Sequence, residues 1–376
     1  MRTIQSGPTY DAFKFRLSTG KAKEKALVAS VQQLVIRDRL VSPRATFFHV
    51  QEGGSGKVGL SYGREEGMFT IHRHAYSQLL QKVGFPATYS ASLQNNGAWG
   101  TELLAHNLNT LYHQMSFASK GKQDESKFLH RIVGGELRGF LSRRFNRHLA
   151  SAPLLAAFVS ACGVVGAEPV ESSSTAVKNR LTCIQPLLYE PVPGVPVCLG
   201  TEWSNSDFGS GRLQVSLVVW RPNGGQWVVD NGMSRVHIGS VLEDSDMEIS
   251  DETAHKEVIA QSSAIRDAVR EHLKPASVER ILKAIELASQ GEIQWASLRG
   301  QLSKFLTKAE VEEAARLLTE EVEDLPPVTY KGGNAVVPPL WAMSVLDRIA
   351  SRETDDDRKA DIQRKAGAFL SVNFDD

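Results

Sequence analysis

The side chains best placed for chemistry in this sequence are cations. Lys120, Lys122, Lys127, Arg131, Arg138, Arg143, Arg144 and Arg147 fall in fewer than thirty residues, against the acids Asp124, Glu125 and Glu136. Arginine presents a planar, permanently charged fork that matches phosphate oxygens. If six of these cations met phosphates, affinity would fall with salt at a log–log slope of about −4 on single strands. Phe145 lies among them. Phe140, Tyr112 and Trp203 are the other aromatics available to stack on bases, the usual device for gripping a single strand. The competing reading pairs the arginines with acids of the same molecule, where surface ion pairs are common and weak.

Other chemistries are thinner. His237, Asp207 and Glu202 are of the right types for acid–base work, but no G-x-S-x-G elbow, HExxH or kinase signature is present. Gly54 to Val58 reads GSGKV. It fails as a P-loop because Val58 replaces the required Ser or Thr and Gln51 stands where the first Gly belongs, so it reads as a hairpin turn. His72 and His74 have no third metal ligand nearby. Asn205 and Ser206 suit a loop, where their side chains bond the local backbone. Cys162, Cys183 and Cys198 form no CxxC pair or zinc-like cluster. No catalytic residue, metal or cofactor is therefore expected, and a non-enzymatic role is favoured.

The 376 residues allow two or three domains. No apolar run approaches a membrane span, the N-terminal residues carry no apolar leader, and free thiols suit a cytoplasmic setting. The formal net charge is zero but uneven. Residues 1–150 hold 21 Lys and Arg against 10 Asp and Glu; residues 151–240 hold 5 against 6; residues 241–376 hold 17 against 27. The balances are thus +11, −1 and −10. A basic front suggests an anion as partner, and an acidic back suggests a protein partner or a self-association surface.

The elements that must position these residues read as an α+β fold. Residues 1–44 are an arm and helix: an extended arm over 1–20, broken by Gly7-Pro8 and Gly20, and then one long helix, or a helix running into a strand, over 21–40. Residues 45–245 are an α+β core. It contains a hairpin across the Gly-rich turn, helices within 72–83 and 99–113, and a strand over 136–142 ending in a basic turn. A helix over 151–162 follows, then a β-rich stretch. Within that stretch Ser172 to Ser174 and Gly200 to Gly211 read as loops, and Tyr189 to Cys198 as exposed turns. Leu213–Trp220 and Gln226–Asp230 flank Pro-Asn-Gly-Gly as a β-hairpin, and Asp230-Asn231-Gly232 makes a second turn. Residues 246–376 are an acidic helical region with helices near 250–273, 277–290, 295–306 and 338–351. A capping box at Thr307 and Glu310 opens another, and a surface tail begins at the run Asp355–Asp357.

Four segments, FTIHRHAYSQLLQKVGFPATY (69–89), LRGFLSRRFNRH (137–148), SNSDFGSG with its following strand (204–219) and DNGMSRVHIG (230–239), together resemble the uncharacterised phage/plasmid-like protein family, catalogued as a domain of unknown function. That family has an acidic residue and a tyrosine where this chain has Arg143 and Phe145, and often a cysteine and a threonine where it has Val229 and Asp230. The resemblance implies a mobile-element origin and no established activity; such elements often encode DNA-maintenance or recombination proteins. The expected function is binding of nucleic acid, single-stranded DNA above all, in replication or recombination as an annealing or protecting protein, with possible homo-oligomers along the strand. The alternatives are a protein–protein regulator or host-defence antagonist, reached through the acidic C-terminal helices, and a metal-dependent nuclease. If the acidic block competes for the basic face, deletion beyond about residue 330 should tighten DNA binding.

Overall fold

The computed structural model describes residues 2–51, 57–63, 67–115, 127–145, 149–222, 225–237, 250–320 and 325–371. The chain is α+β, as expected. It opens differently from the expected arm. After β1 (Arg2–Thr3), helix α1 runs from Pro8–Gln33. Gly7 takes φ 98°, which glycine tolerates, and Pro8 occupies the first helical turn, where its missing N–H costs nothing. The two "breakers" therefore start a helix. Gly20 sits inside it because a Cβ there would lie 1.8 Å from the Pro169 carbonyl oxygen, so α1 lies flush on the strand beneath.

The next elements are β2 (Arg37–Val41), β3 (Thr46–Val50), β4 (Val58–Tyr62), β5 (Thr70–Ile71), α2 (Arg73–Val83), α3 (Ala87–Asn95), α4 (Gly97–Gln114), β6 (Phe128–Val133) and β7 (Glu136–Ser142). β3 and β4 pair as the expected hairpin, while its Gly-rich turn lies outside the described residues. A second sheet has the order β2-β6-β7-β5. Gly134 and Gly135, at φ 56° and 83°, make the tight β6–β7 turn. Phe48, Leu60, Leu79, Leu104, Tyr112 and Phe140 form the core beneath it.

Helix α5 (Ser151–Val164) leads to β8 (Glu168–Ser174), β9 (Asn179–Ile184), β10 (Tyr189–Val192), β11 (Val195–Asn205), β12 (Leu213–Trp220) and β13 (Gln226–Arg235). With β1 they form a seven-stranded sheet in which β11 pairs with β9, β10 and β12. Three expected loops are strands. Ser172 to Ser174 pair with β9, and Gly200 to Asn205 pair on both sides, with their small polar side chains buried. β13 runs straight through Asp230 to Gly232, the extra length being absorbed by irregular register around Leu217. Tyr189 to Cys198 is a hairpin turning at Gly194 (φ 78°), with Val195 and Val197 buried rather than exposed.

The rest comprises α6 (Asp251–Leu273), α7 (Pro275–Gln290), β14 (Ile293–Gln294), α8 (Trp295–Leu302), α9 (Lys308–Arg316), β15 (Thr329–Lys331), β16 (Asn334–Val337), α10 (Pro339–Arg352) and α11 (Asp356–Ser371). The Thr307–Glu310 capping box opens α9 as expected. Helices α5 and α6 cover one face of the large sheet over Leu181, Trp203, Val215 and Met233. Helices α7, α10 and α11 share a core with Val197, Leu199, Val219 and Trp227. The run from Asp355 is thus no surface tail. Gly367 of α11 would put a Cβ 1.8 Å from the Val228 carbonyl oxygen, so the helix rests on the backbone of β13.

Candidate functional site

The expected strand at 136–142 is β7, and its cations do not form one open patch. Arg131, on the neighbouring β6, points inward. Its Nε lies 3.1 Å from Asp38, one guanidinium nitrogen donates to the Asp207 carbonyl, and the guanidinium sits 5.0 Å from the Phe145 ring centre. Arg138 Nε donates to Glu136 Oε2 at 2.8 Å and its Nη1 to the Ala176 carbonyl at 3.3 Å. These acids belong to the same small sheet, so neither arginine is spent on the C-terminal helices. Arg143 is half-buried and engaged, Arg144 is exposed, and Lys127 is half-buried. Lys120, Lys122 and Arg147 lie outside the described residues. Phe145 corrects the expectation of a base-stacking ring: it is buried and stacks on His237 at 4.7 Å with planes 3° apart. Phe140 and Tyr112 are likewise sealed in the core, and Trp203 is fully buried.

The segment Asn205 to Gly209 explains this inward pull, because it joins the two sheets. His74 Nε2 and Gln78 Nε2 both reach the Phe208 carbonyl at 3.1 Å. Asp207 Oδ1 accepts from the Ser151 N–H at 3.1 Å, a carboxylate at the start of α5 where helix N–H groups lack partners. Burial nonetheless pushes the Asp207 carboxyl above its ordinary range, against the pull of Ser151 and Arg131. Asn205 Nδ2 donates to the Leu149 carbonyl and Ser151 Oγ, which leaves its Oδ1 facing His237 Nε2 at 2.9 Å. His237 therefore carries its proton on Nε2, while Nδ1 is buried with no partner among the described residues. Burial, and then Arg131, lowers its pKa to about 4. Of the acid–base candidates, Asp207 is thus tied to the start of α5 and His237 to the Asn205 side chain and the Phe145 ring. His72 and His74 are also committed: His72 Nδ1 accepts from the His74 N–H at the start of α2, and burial lowers both. Among the described residues no group of three or more His, Cys, Asp or Glu is arranged to hold a metal ion.

The third candidate, Glu202, belongs to a different place. Thr182 and Glu202 are cross-strand partners on β9 and β11, and Arg180 is two residues along on the same face. Arg180 Nη2 donates to Glu202 Oε2 at 2.8 Å and to Gln363 Oε1 of α11 at 3.3 Å. Thr182 and Gln226 also donate to Glu202. This network floors a polar cleft. Its inner chamber, so called because it lies on the Arg180–Glu202–Gln226 network, is about 30 Å³ and is walled by Glu171, Ser173, Asp356 and Lys359. Its outer chamber, about 130 Å³, reaches the 175–178 turn, the start of α11, and His72 and Arg73 at the start of α2. Here the acidic back does meet a cation, though none of those expected. Lys178 Nζ lies 2.7 Å from Asp357, and Ser173 donates to Asp356 at 2.5 Å. Burial raises the Asp357 carboxyl, but Lys178 and Ser210 outweigh it and leave it below its ordinary range.

Exposed cations flank an exposed aromatic on α1, whose first part sequence reasoning passed over as an arm. Phe15 is 67% exposed between the exposed Lys14 and Arg16, and Lys21 and Lys25 follow along the helix. The signal was present: Phe13, Leu17, Leu27 and Val31 take the buried positions, and Phe15 falls outside that stripe. No protein-family model, no curated protein and no solved structure matches the chain.

Proposed function

We propose that this chain binds single-stranded nucleic acid, as an annealing or protecting protein of phage or plasmid DNA, and that α1 is its principal contact. The observation that supports this is Phe15, a large aromatic held out to solvent between Lys14 and Arg16. Exposed rings among cations suit a strand, because every base has a face to stack on and every linkage has a phosphate. Leu27 and Val31, farther along α1, share a core with Leu149, so the helix leads toward the strand–helix junction that carries Arg144. Four phosphate contacts, by Lys14, Arg16, Lys25 and Arg144, correspond to a log–log salt slope of about −3 on single strands.

The test is a salt titration of binding to labelled single- and double-stranded DNA, with Phe15→Ala and a Lys14→Glu/Arg16→Glu variant alongside. Phe15→Ala should weaken single-strand binding roughly tenfold, and the charge reversal should flatten the salt slope. No binding to either DNA at low salt would remove the proposal.

A further inference from the structure

The cleft floored by Arg180 has no part in the phosphate-and-stacking contact of α1, yet it is built like a binding site. Arg180 is 8% exposed. Its Nη2 donates to Glu202 and Gln363, and Arg180 lines both chambers of the cleft, with Glu171 and Asp356 close enough to act on its charge. A guanidinium carries five N–H donors, and this buried one forms part of the wall of an open cleft. Carboxylates line the same inner chamber: Asp356, with one oxygen taken by Ser173, and Glu171, 3.9 Å from Lys359.

The charges say what kind of ligand fits. Around the inner chamber Arg180 and Lys359 face Glu171, Glu202 and Asp356, so acids outnumber cations by one. A phosphate would meet net repulsion there. A neutral group carrying acceptors for Arg180 beside donors for the carboxylates would satisfy both sets, and the edge of a nucleobase is such a group. The outer chamber of about 130 Å³ compares with about 10–15 Å³ for the smallest cavity that holds one water, so a ring system has room. The cleft also lies beside the proposed strand path. β8 supplies Glu171 and Ser173 to the cleft, and Ser172 between them donates to the Lys23 carbonyl of α1.

We propose that this cleft binds one unstacked nucleobase, either free in a nucleoside or from a strand held on α1; the strand version rests on the function proposed above. The experiment compares binding of a labelled base-bearing single strand with an abasic sugar–phosphate strand of the same length, and adds thermal shifts with the four nucleosides. Two variants are used. Arg180→Met with Glu202→Leu removes the buried pair together, which proteins often tolerate. Ser173→Val with Asp356→Asn alters the rim and leaves the pair in place, so one folded variant suffices. Each should lose about tenfold in affinity for the base-bearing strand, with no change for the abasic strand, and should abolish the shift by whichever nucleoside stabilises the native chain. Equal losses on both strands, or unchanged affinity on both together with no nucleoside shift in the native chain, would overturn the inference and leave a water-filled cleft. Absence of all strand binding, with a nucleoside shift in the native chain that the folded variants lose, would sink the α1 proposal and keep the cleft as a nucleoside site, whereas a shift that the variants keep would overturn the cleft.

Discussion

Arg131 and Arg144 stand thirteen residues apart in one basic run, and the structure assigns them opposite behaviour. Arg131 keeps 14% of its side-chain exposure, pairs with Asp38, donates to the Asp207 carbonyl and lies over Phe145. Arg131→Met deletes a charge-assisted hydrogen bond, worth about 1.5–3 kcal/mol, and a cation–π contact worth about 0.5–1 kcal/mol. The exposed pair with Asp38 adds little. The expected loss is about 3 kcal/mol. At roughly 2.1 cal/mol/K per residue, 376 residues give an unfolding entropy of about 0.8 kcal/mol/K, so the melting temperature should drop by about 4 °C. Arg144→Glu touches an exposed side chain and should stay within about 0.5 kcal/mol of the native chain. Its effect should fall on strand affinity and salt slope instead. Urea unfolding and fluorescence anisotropy on both variants decide the matter. An Arg131→Met protein with native stability but no strand binding would refute this division, and with it the view that Arg131 is structural.

Three further outcomes follow from the same geometry. His237 has a folded pKa of about 4, below its ordinary 6.5, so its contribution to stability is present above pH 6.5 and is lost as pH falls toward 4. The loss should reach about 3 kcal/mol, and His237→Gln should flatten that part of a urea-midpoint-against-pH curve; an unchanged curve would contradict the buried neutral assignment. Gly20→Ala would force a methyl to 1.8 Å from the Pro169 carbonyl oxygen and should cost about 1–3 kcal/mol. Limited proteolysis should then cut within α1 first, whereas native resistance would mean that the helix does not lie flush. Deletion beyond residue 330 removes Leu340, Trp341, Leu346 and Leu370 from a core shared with β11, β12 and β13, so it should yield a chain without a cooperative melt rather than a tighter binder.

Local rules were legible where the signal was local. The limits of β7, the α2 exit at Gly84 and the Thr307–Glu310 box all rest on residues within four positions of one another. The errors came where a distant partner decides. Gly7-Pro8 and Gly20 resemble breakage until Pro169 is seen to need the space beside Gly20. Gly200 to Asn205 has a loop's composition, yet it is a central strand because Thr182, Gln226 and Arg180 satisfy Glu202 across the sheet. The site shows the same limit. Counting cations says nothing of their partners: Arg131 meets Asp38 and Asp207 at separations of 93 and 76 residues, and no periodicity carries that information.

The charge asymmetry then takes a more specific meaning than two opposed surfaces. Much of the acidic back is answered from within: Arg358 binds Glu310 and Glu353, Arg352 binds Glu313, and Lys331 binds Glu292. It reaches the rest of the chain through the buried Asp347, which holds Arg221 and the Gly225 N–H, and through Asp356 and Asp357, which hold Ser173, Lys178 and Ser210 beside the Arg180 cleft. Asp347 is buried, so Asp356 and Asp357 at the start of α11 are the members of these contacts placed to compete with a ligand of the cleft. A strand lying on α1 does not have to displace these carboxylates, whereas a base entering the cleft does have to pass them. Salt should accordingly weaken the α1 contact by screening phosphates, yet ease entry to the cleft by loosening the Lys178–Asp357 pair, so the two contacts carry salt dependences of opposite sign.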